Sequence, residues 1–129
     1  MTSGPRLFSI LRQGRTLIAS VHTALDDSQL ARFQEDLVEQ IGRTRARGVI
    51  IDVAALDVVD SFATRTLRDI ADIARLRGAR TVVVGIQPDV AFVMVQLGMS
   101  TGSLVTALDL EEGLAYLTGR PGAPAPRPS

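Results

Sequence analysis

Hydrophobic positions along this chain switch repeatedly between strand-like runs and helical spacing, and the switches divide it into short elements. Leu7 to Leu11 and Thr16 to Val21 read as strands, with a hairpin turn at Gln13-Gly14 between them. Asp26 or Asp27 then caps a helix in which Leu30, Phe33, Leu37 and Ile41 recur at helical spacing, with Glu35, Asp36, Glu39 and Arg43 on the other face. Gly48 falls where a helix C-terminus favours positive φ. Val49 to Val53 is an unbroken apolar run of strand length, the pattern of a strand covered on both faces. A second helix is predicted from about Asp60 to Leu76, with Phe62, Leu67, Ile70, Ala71 and Ala74 inward and Gly78 ending it. Thr81 to Val84 repeats the buried-strand pattern. Pro88 suits the first turn of a helix through Val90, Ala91, Met94, Val95 and Leu97 to Gly98. Ser103 to Thr106 reads as a short strand, and Asp109 caps a last helix through Leu110, Leu114 and Leu117.

The resulting order, β-β-α-β-α-β-α-β-α, predicts an α/β fold: a mixed, mostly parallel sheet of about five strands with four helices joined by right-handed crossovers. Residues 1–118 make one domain. From Gly119 to Ser129 the composition changes, with four of the six prolines and nothing to bury, so this segment reads as a disordered Pro-rich tail.

Composition narrows the function classes. With 129 residues and 46% hydrophobic content the chain has material for a real core. Fourteen basic and fourteen acidic residues cancel, which argues against a general nucleic-acid or anionic-membrane binder while leaving a local basic patch open. The absence of cysteine removes disulfides, thiolate metal sites and a cysteine nucleophile. No apolar run approaches the roughly 20 residues of a membrane span. A cytoplasmic protein with no cofactor, no metal, no nucleic-acid partner and no membrane partner is expected.

The candidate chemistry lies at Asp57-Val58-Val59-Asp60-Ser61-Phe62, where the buried strand gives way to a helix. If Asp60 is the helix cap, Ser61 is left solvent-facing in the first turn, where unpaired backbone N–H groups and the helix dipole favour a phosphate. A phosphate there adds about −1.5 to −2 charges beside Asp57 and Asp60. The alternative is that Ser61 is itself the capping hydroxyl. Asp52, Asp57 and Asp60, with Asp26 and Asp27, raise the possibility of a Mg²⁺-dependent phosphoryl acceptor, but that chemistry also needs a lysine and the chain has none. His22, the single histidine, reads as a strand-end residue, and Gly85-Ile86-Gln87-Pro88 is weak evidence of an anion site. No catalytic constellation stands out, so a non-enzymatic protein is expected.

Four segments carry a family resemblance: Leu25-Asp26-Asp27 with Phe33-Gln34-Glu35-Asp36-Leu37; Gly48-Val49-Ile50-Ile51-Asp52 through Asp60-Ser61-Phe62; Gly85-Ile86-Gln87-Pro88 with Val90-Ala91; and Thr106-Ala107-Leu108-Asp109-Leu110-Glu111. On these the chain resembles STAS domains, the SpoIIAA-like fold of anti-anti-sigma factors, and within them the RsbS-type stressosome antagonists. Anti-anti-sigma factors usually follow the Asp-Ser pair with a small residue and Gly, whereas Phe62-Ala63 stands here. Co-antagonists carry a preceding sensor domain and typically a Thr acceptor, whereas this chain begins at its first strand and has Ser.

The resemblance implies a non-catalytic scaffold for stress signalling and sigma factor regulation. It would sequester a switch serine/threonine kinase and release it once Ser61, the phosphoacceptor, is modified. It implies partner-binding residues Asp57, Asp60, Phe62, Thr64 and Arg65, assembly with a STAS-domain co-antagonist paralogue, and a homo-oligomer. Thr64 and Thr66 are neighbouring hydroxyls with a structural reading. A stand-alone anti-anti-sigma factor binding an anti-sigma kinase one to one is the alternative, and a small nucleotide-binding or phosphoryl-accepting domain is a third reading.

Overall fold

The computed structural model describes residues 7–86, 104–119 and 127–128. Strands β1 (Phe8–Gln13) and β2 (Thr16–Val21) form the expected antiparallel hairpin, with Phe8 opposite Val21 and Gln13 opposite Thr16. Helix α1 (Asp27–Thr44) leads to β3 (Gly48–Asp52), and helix α2 (Ser61–Leu76) leads to β4 (Arg80–Val84). Strand β5 (Val105–Ala107) is followed by helix α3 (Leu110–Thr118). Strands β2, β3, β4 and β5 run parallel in that order, as the alternation of elements requires. Tail residues Arg127–Pro128 pair antiparallel with β5 as a two-residue β6, a strand beyond the five expected. The helix predicted from Pro88 lies outside the described residues, as does Ser103.

The period-two and period-3.6 patterns meet in two apolar layers. Val49 and Ile51 of β3 face α1 and α2, joining Leu17, Ala19, Phe33, Leu37, Ile41 and Ile70 in the larger core. Ile50, between them in sequence, points the other way and packs with Val82 and Val84 against Leu114, Tyr116 and Leu117 of α3. Each such fully buried side chain contributes roughly 1.5–3 kcal/mol of transfer free energy. Phe33 is completely buried and meets the Phe8 ring edge-on, centroids 5.1 Å apart.

Two assignments, those of Gly48 and Phe62, need correction. Gly48 does not close α1: the left-handed residue is Arg45 (φ 52), and Gly48 is already the first residue of β3. Its missing side chain makes room for α3, since a Cβ there would stand 2.9 Å from Leu117 Cδ1. Leu110 is exposed, because the first turn of α3 projects past the sheet end. Phe62 is exposed rather than inward, because the second residue of α2 also lies beyond the strand ends.

Candidate functional site

β3 ends at Asp52, and the chain then crosses the end of the sheet before α2 begins. Val53, Leu56 and Val59 are buried at intervals of three and anchor this crossing from beneath. Val53 N–H donates to Val84 O (3.0 Å), and Leu56 N–H donates to Val53 O (2.9 Å). The residues out of phase with those anchors, Asp57, Val58 and Asp60, face solvent. Gly85 supports the crossing from β4: with φ +86, its backbone passes so close to Ala54 that a Cβ would lie 2.8 Å from the Ala54 nitrogen.

Asp60 is the N-cap of α2. Its backbone is extended (φ −80, ψ −179), and Oδ1 accepts a 2.8 Å hydrogen bond from Ala63 N–H. The cap is thus supplied by the carboxylate, and Ser61 is the exposed first residue of the helix. Its hydroxyl makes no hydrogen bond to any described residue. The first-turn N–H groups and the positive end of the helix dipole lie beside it.

The expected surface residues divide. Asp57, Asp60, Phe62 and Arg65 are exposed around Ser61, with Phe62 at 38% exposure. Thr64 is not part of that surface, a correction to the expected partner-binding set. It is 1% exposed, and its Oγ1 donates to Asp60 O at 3.0 Å. Thr66 is likewise buried and donates to Phe62 O, so both threonines back-bond within the helix.

Val58, 70% exposed, is the residue the pattern analysis missed. Its signal was present: it falls out of phase with Val53, Leu56 and Val59. With Phe62 it puts apolar surface on both sides of Ser61. A shallow cleft of about 120 Å³ opens beside the α2 start, lined by Leu25, Leu30, Phe33, Val58, Val59 and Asp60 among others.

The carboxylates here serve local backbone geometry. Asp52 Oδ1 accepts from Ala54 N–H (2.9 Å), Asp60 caps α2, and Asp26 Oδ1 accepts from Gln29 N–H and the Ser28 hydroxyl (both 2.8 Å). Those two bonds, the Gln29 N–H foremost, hold the Asp26 carboxyl below its ordinary pKa. Among the described residues no three Asp, Glu or His side chains converge as a metal site. His22 sits at the end of β2 with Nε2 3.2 Å from Ser9 Oγ. In Gly85-Ile86-Gln87-Pro88, the Gly85 N–H is directed to Ala107 O, and the last two residues lie outside the described set.

A mixed α/β sheet entered through a hairpin thus carries an exposed serine at the opening of the helix that follows its central strand. Residues 8–112 match the STAS domain, and the chain belongs to that family. A serine-to-glutamate variant of RsbS from Moorella thermoacetica superposes with a TM-score of 0.75 at 35% identity, over 87% of this chain and 95% of that one. A chain from the molecular architecture of the stressosome, a signal integration and transduction hub, gives 0.69 at 32%, over 86% and 96%. The RsbT co-antagonist protein RsbRA of Bacillus subtilis is 28% identical over 90 residues, covering 70% of this chain and 33% of RsbRA. The chain therefore spans about a third of that relative's length. The anti-sigma factor antagonist SpoIIAA shares the fold, with a TM-score of 0.70 at 18% identity. Among the described residues no helix is long and apolar enough to cross a membrane.

Proposed function

We propose that this chain is a non-catalytic, cytoplasmic stressosome antagonist that holds a switch serine/threonine kinase and lets it go when Ser61 is phosphorylated. The observation carrying this reading is the exposed hydroxyl of Ser61, unbonded among the described residues, on an apolar and acidic surface, with capping delegated to Asp60. The similarity to RsbS and to a stressosome chain supports the setting, and a STAS-domain co-antagonist is the second partner.

Release follows from electrostatics. Unmodified, the surface offers Val58 and Phe62 for apolar contact, with Asp57 and Asp60 at its rim. Phosphate at Ser61 adds about −1.5 to −2 charges at that point. Two unit charges ~5 Å apart at an effective dielectric near 20 interact by roughly 3 kcal/mol before screening. A partner presenting acidic or apolar groups thus loses about one to two decades of affinity.

The test is capture of the cognate switch kinase by wild type, Ser61→Ala and Ser61→Asp. Wild type and Ser61→Ala should retain it and Ser61→Asp should lose it; equal capture by all three contradicts the reading. Particle size separates the alternative: a very large assembly with a co-antagonist supports the stressosome, whereas a small one-to-one complex with an anti-sigma kinase supports the anti-anti-sigma factor.

A further inference from the structure

Fourteen basic and fourteen acidic residues cancel in number, yet the fold sorts them by place. Parallel pairing sets Thr16, Gly48 and Arg80 side by side where β2, β3 and β4 begin. Arg15 and Arg47 precede the first two, tied by Arg47 N–H to Arg15 O (2.8 Å), and Arg80 N–H donates to Arg47 O (3.0 Å). Arg12 reaches the same end beside the hairpin turn. Helices α1 and α2 run back against the parallel strands, so their last turns and C-caps deliver Arg43, Arg45, Arg75 and Arg77 there. All eight arginines are exposed.

Little at this end offsets them. Within the last two turns of α1 and α2 the carboxylates are Glu39 and Asp72. Glu39 pairs with Arg43 at 2.8 Å, and no other ion pair forms among the described residues. Arg12 Nε donates to Gly14 O (3.1 Å), and Arg80 lies over the Tyr116 ring at 5.2 Å; neither contact cancels a charge. Helix dipoles explain arginines at C-termini but not Arg12, Arg15, Arg47 and Arg80, which lie on strands and turns. Leu76, flanked by Arg75 and Arg77 at the end of α2, is 87% exposed. Asp52, Asp57, Asp109 and Glu111 lie at the far end of the strands.

We infer that the arginine end docks on an anionic lipid bilayer, as a peripheral contact with the head groups. A guanidinium fork pairs with two phosphate oxygens at once, and the chain has arginine and no lysine. An aliphatic side chain ringed by cations suits the boundary between head groups and acyl chains, and Leu76 stands in that setting. A single-stranded nucleic acid fits less well. It leaves Leu76 in water, and among the described residues this end has no free aromatic face on which bases stack, Tyr116 being covered by Arg80. The sorting of charge also sets the orientation. Strands of this length hold the two ends ~17 Å apart, about two screening lengths, so the acidic end is barely repelled. The docked chain turns Asp57, Asp60 and Ser61 away from the leaflet. This departs from the expectation of no membrane partner, which rested on the cancellation of total charge. It requires no modification of Ser61.

Co-sedimentation of the full chain with vesicles of about one-third phosphatidylglycerol in phosphatidylcholine tests this, at roughly 0.1 M and 0.5 M salt. Wild type should pellet with these vesicles at the lower salt, stay in solution at the higher, and ignore pure phosphatidylcholine. Each arginine near an anionic leaflet is worth about fivefold in partition, so Arg15→Gln/Arg47→Gln should bind about 25-fold more weakly. Arg45→Asn/Arg75→Gln, at the helix ends, should fall by a similar factor, with circular dichroism showing which variants are folded. Leu76→Ser should weaken binding at least ~3-fold, and Glu111→Gln at the far end should leave it unchanged. Failure of wild type to pellet with the anionic vesicles overturns the inference, as does undiminished binding by either folded arginine pair or a comparable drop in Glu111→Gln. Equal binding by Leu76→Ser and wild type overturns it in favour of plain charge attraction. Complete displacement from the vesicles by single-stranded RNA at equal phosphate concentration overturns it in favour of a nucleic acid.

Discussion

Asp60 does two jobs that substitution can separate. Its carboxylate accepts the Ala63 N–H at 2.8 Å from an extended backbone, which fixes where α2 starts and leaves Ser61 uncapped and exposed. It also places a negative charge at the positive end of the helix. Asp60→Asn keeps a capping oxygen and loses the charge; Asp60→Ala loses both. Loss of the cap costs about 1 kcal/mol, and loss of the charge–dipole attraction about 0.3–0.5 kcal/mol on an exposed surface. Urea unfolding should therefore place Asn within about 0.5 kcal/mol of wild type and Ala about 1–1.5 kcal/mol below it. With slopes of about 1–3 kcal/mol per molar urea, the Ala midpoint drops by roughly 0.3–1.5 molar. Added salt should narrow the Asn gap and leave most of the Ala gap. If Asn falls as far as Ala, the charge rather than the cap holds this helix start. If neither shifts, Asp60 does not hold α2, and the explanation for the exposed hydroxyl of Ser61 fails.

Two glycines should differ although both face close neighbours. Gly85→Ala meets the Ala54 backbone at φ +86 and should cost about 3 kcal/mol, whereas Gly48→Ala meets the movable end of Leu117 and should cost about 1 kcal/mol; equal midpoints in thermal unfolding would contradict this. Asp26 gives a pH prediction. Its folded pKa lies below the ordinary 3.8, so its contribution is complete well above that value and is lost as pH falls through the lower folded value. Wild type should exceed Asp26→Ala in urea stability at neutral pH, and the gap should close in strong acid; a gap independent of pH contradicts the capping role.

Most of the fold was legible because its patterns report burial directly. Leu30, Phe33, Leu37 and Ile41 all bury as spaced, and the continuous run in β3 is covered by helices on both faces. The error at Phe62 arises where an element overruns the sheet end. Phe62 has the right period, yet its first-turn position lies past the layer that would cover it. Gly48 carried a real signal of a different kind, space for a neighbour rather than a left-handed turn. At the site, the Asp60 cap and the first-turn position of Ser61 were readable from capping preference. Thr64 was misplaced, because a hydroxyl adjacent in sequence lies a full turn into the helix and points into the core.

In the proposed switch, modification of one exposed serine changes what the start of α2 will hold. The direct measurement is the Kd of the switch kinase for the unmodified chain and for the chain stoichiometrically phosphorylated, with the phosphosite located by fragmentation. Phosphate on Ser61 and a Kd raised about 10- to 100-fold are expected. Equal Kd values for the two forms, or phosphate on a different residue with Ser61 untouched, would contradict it.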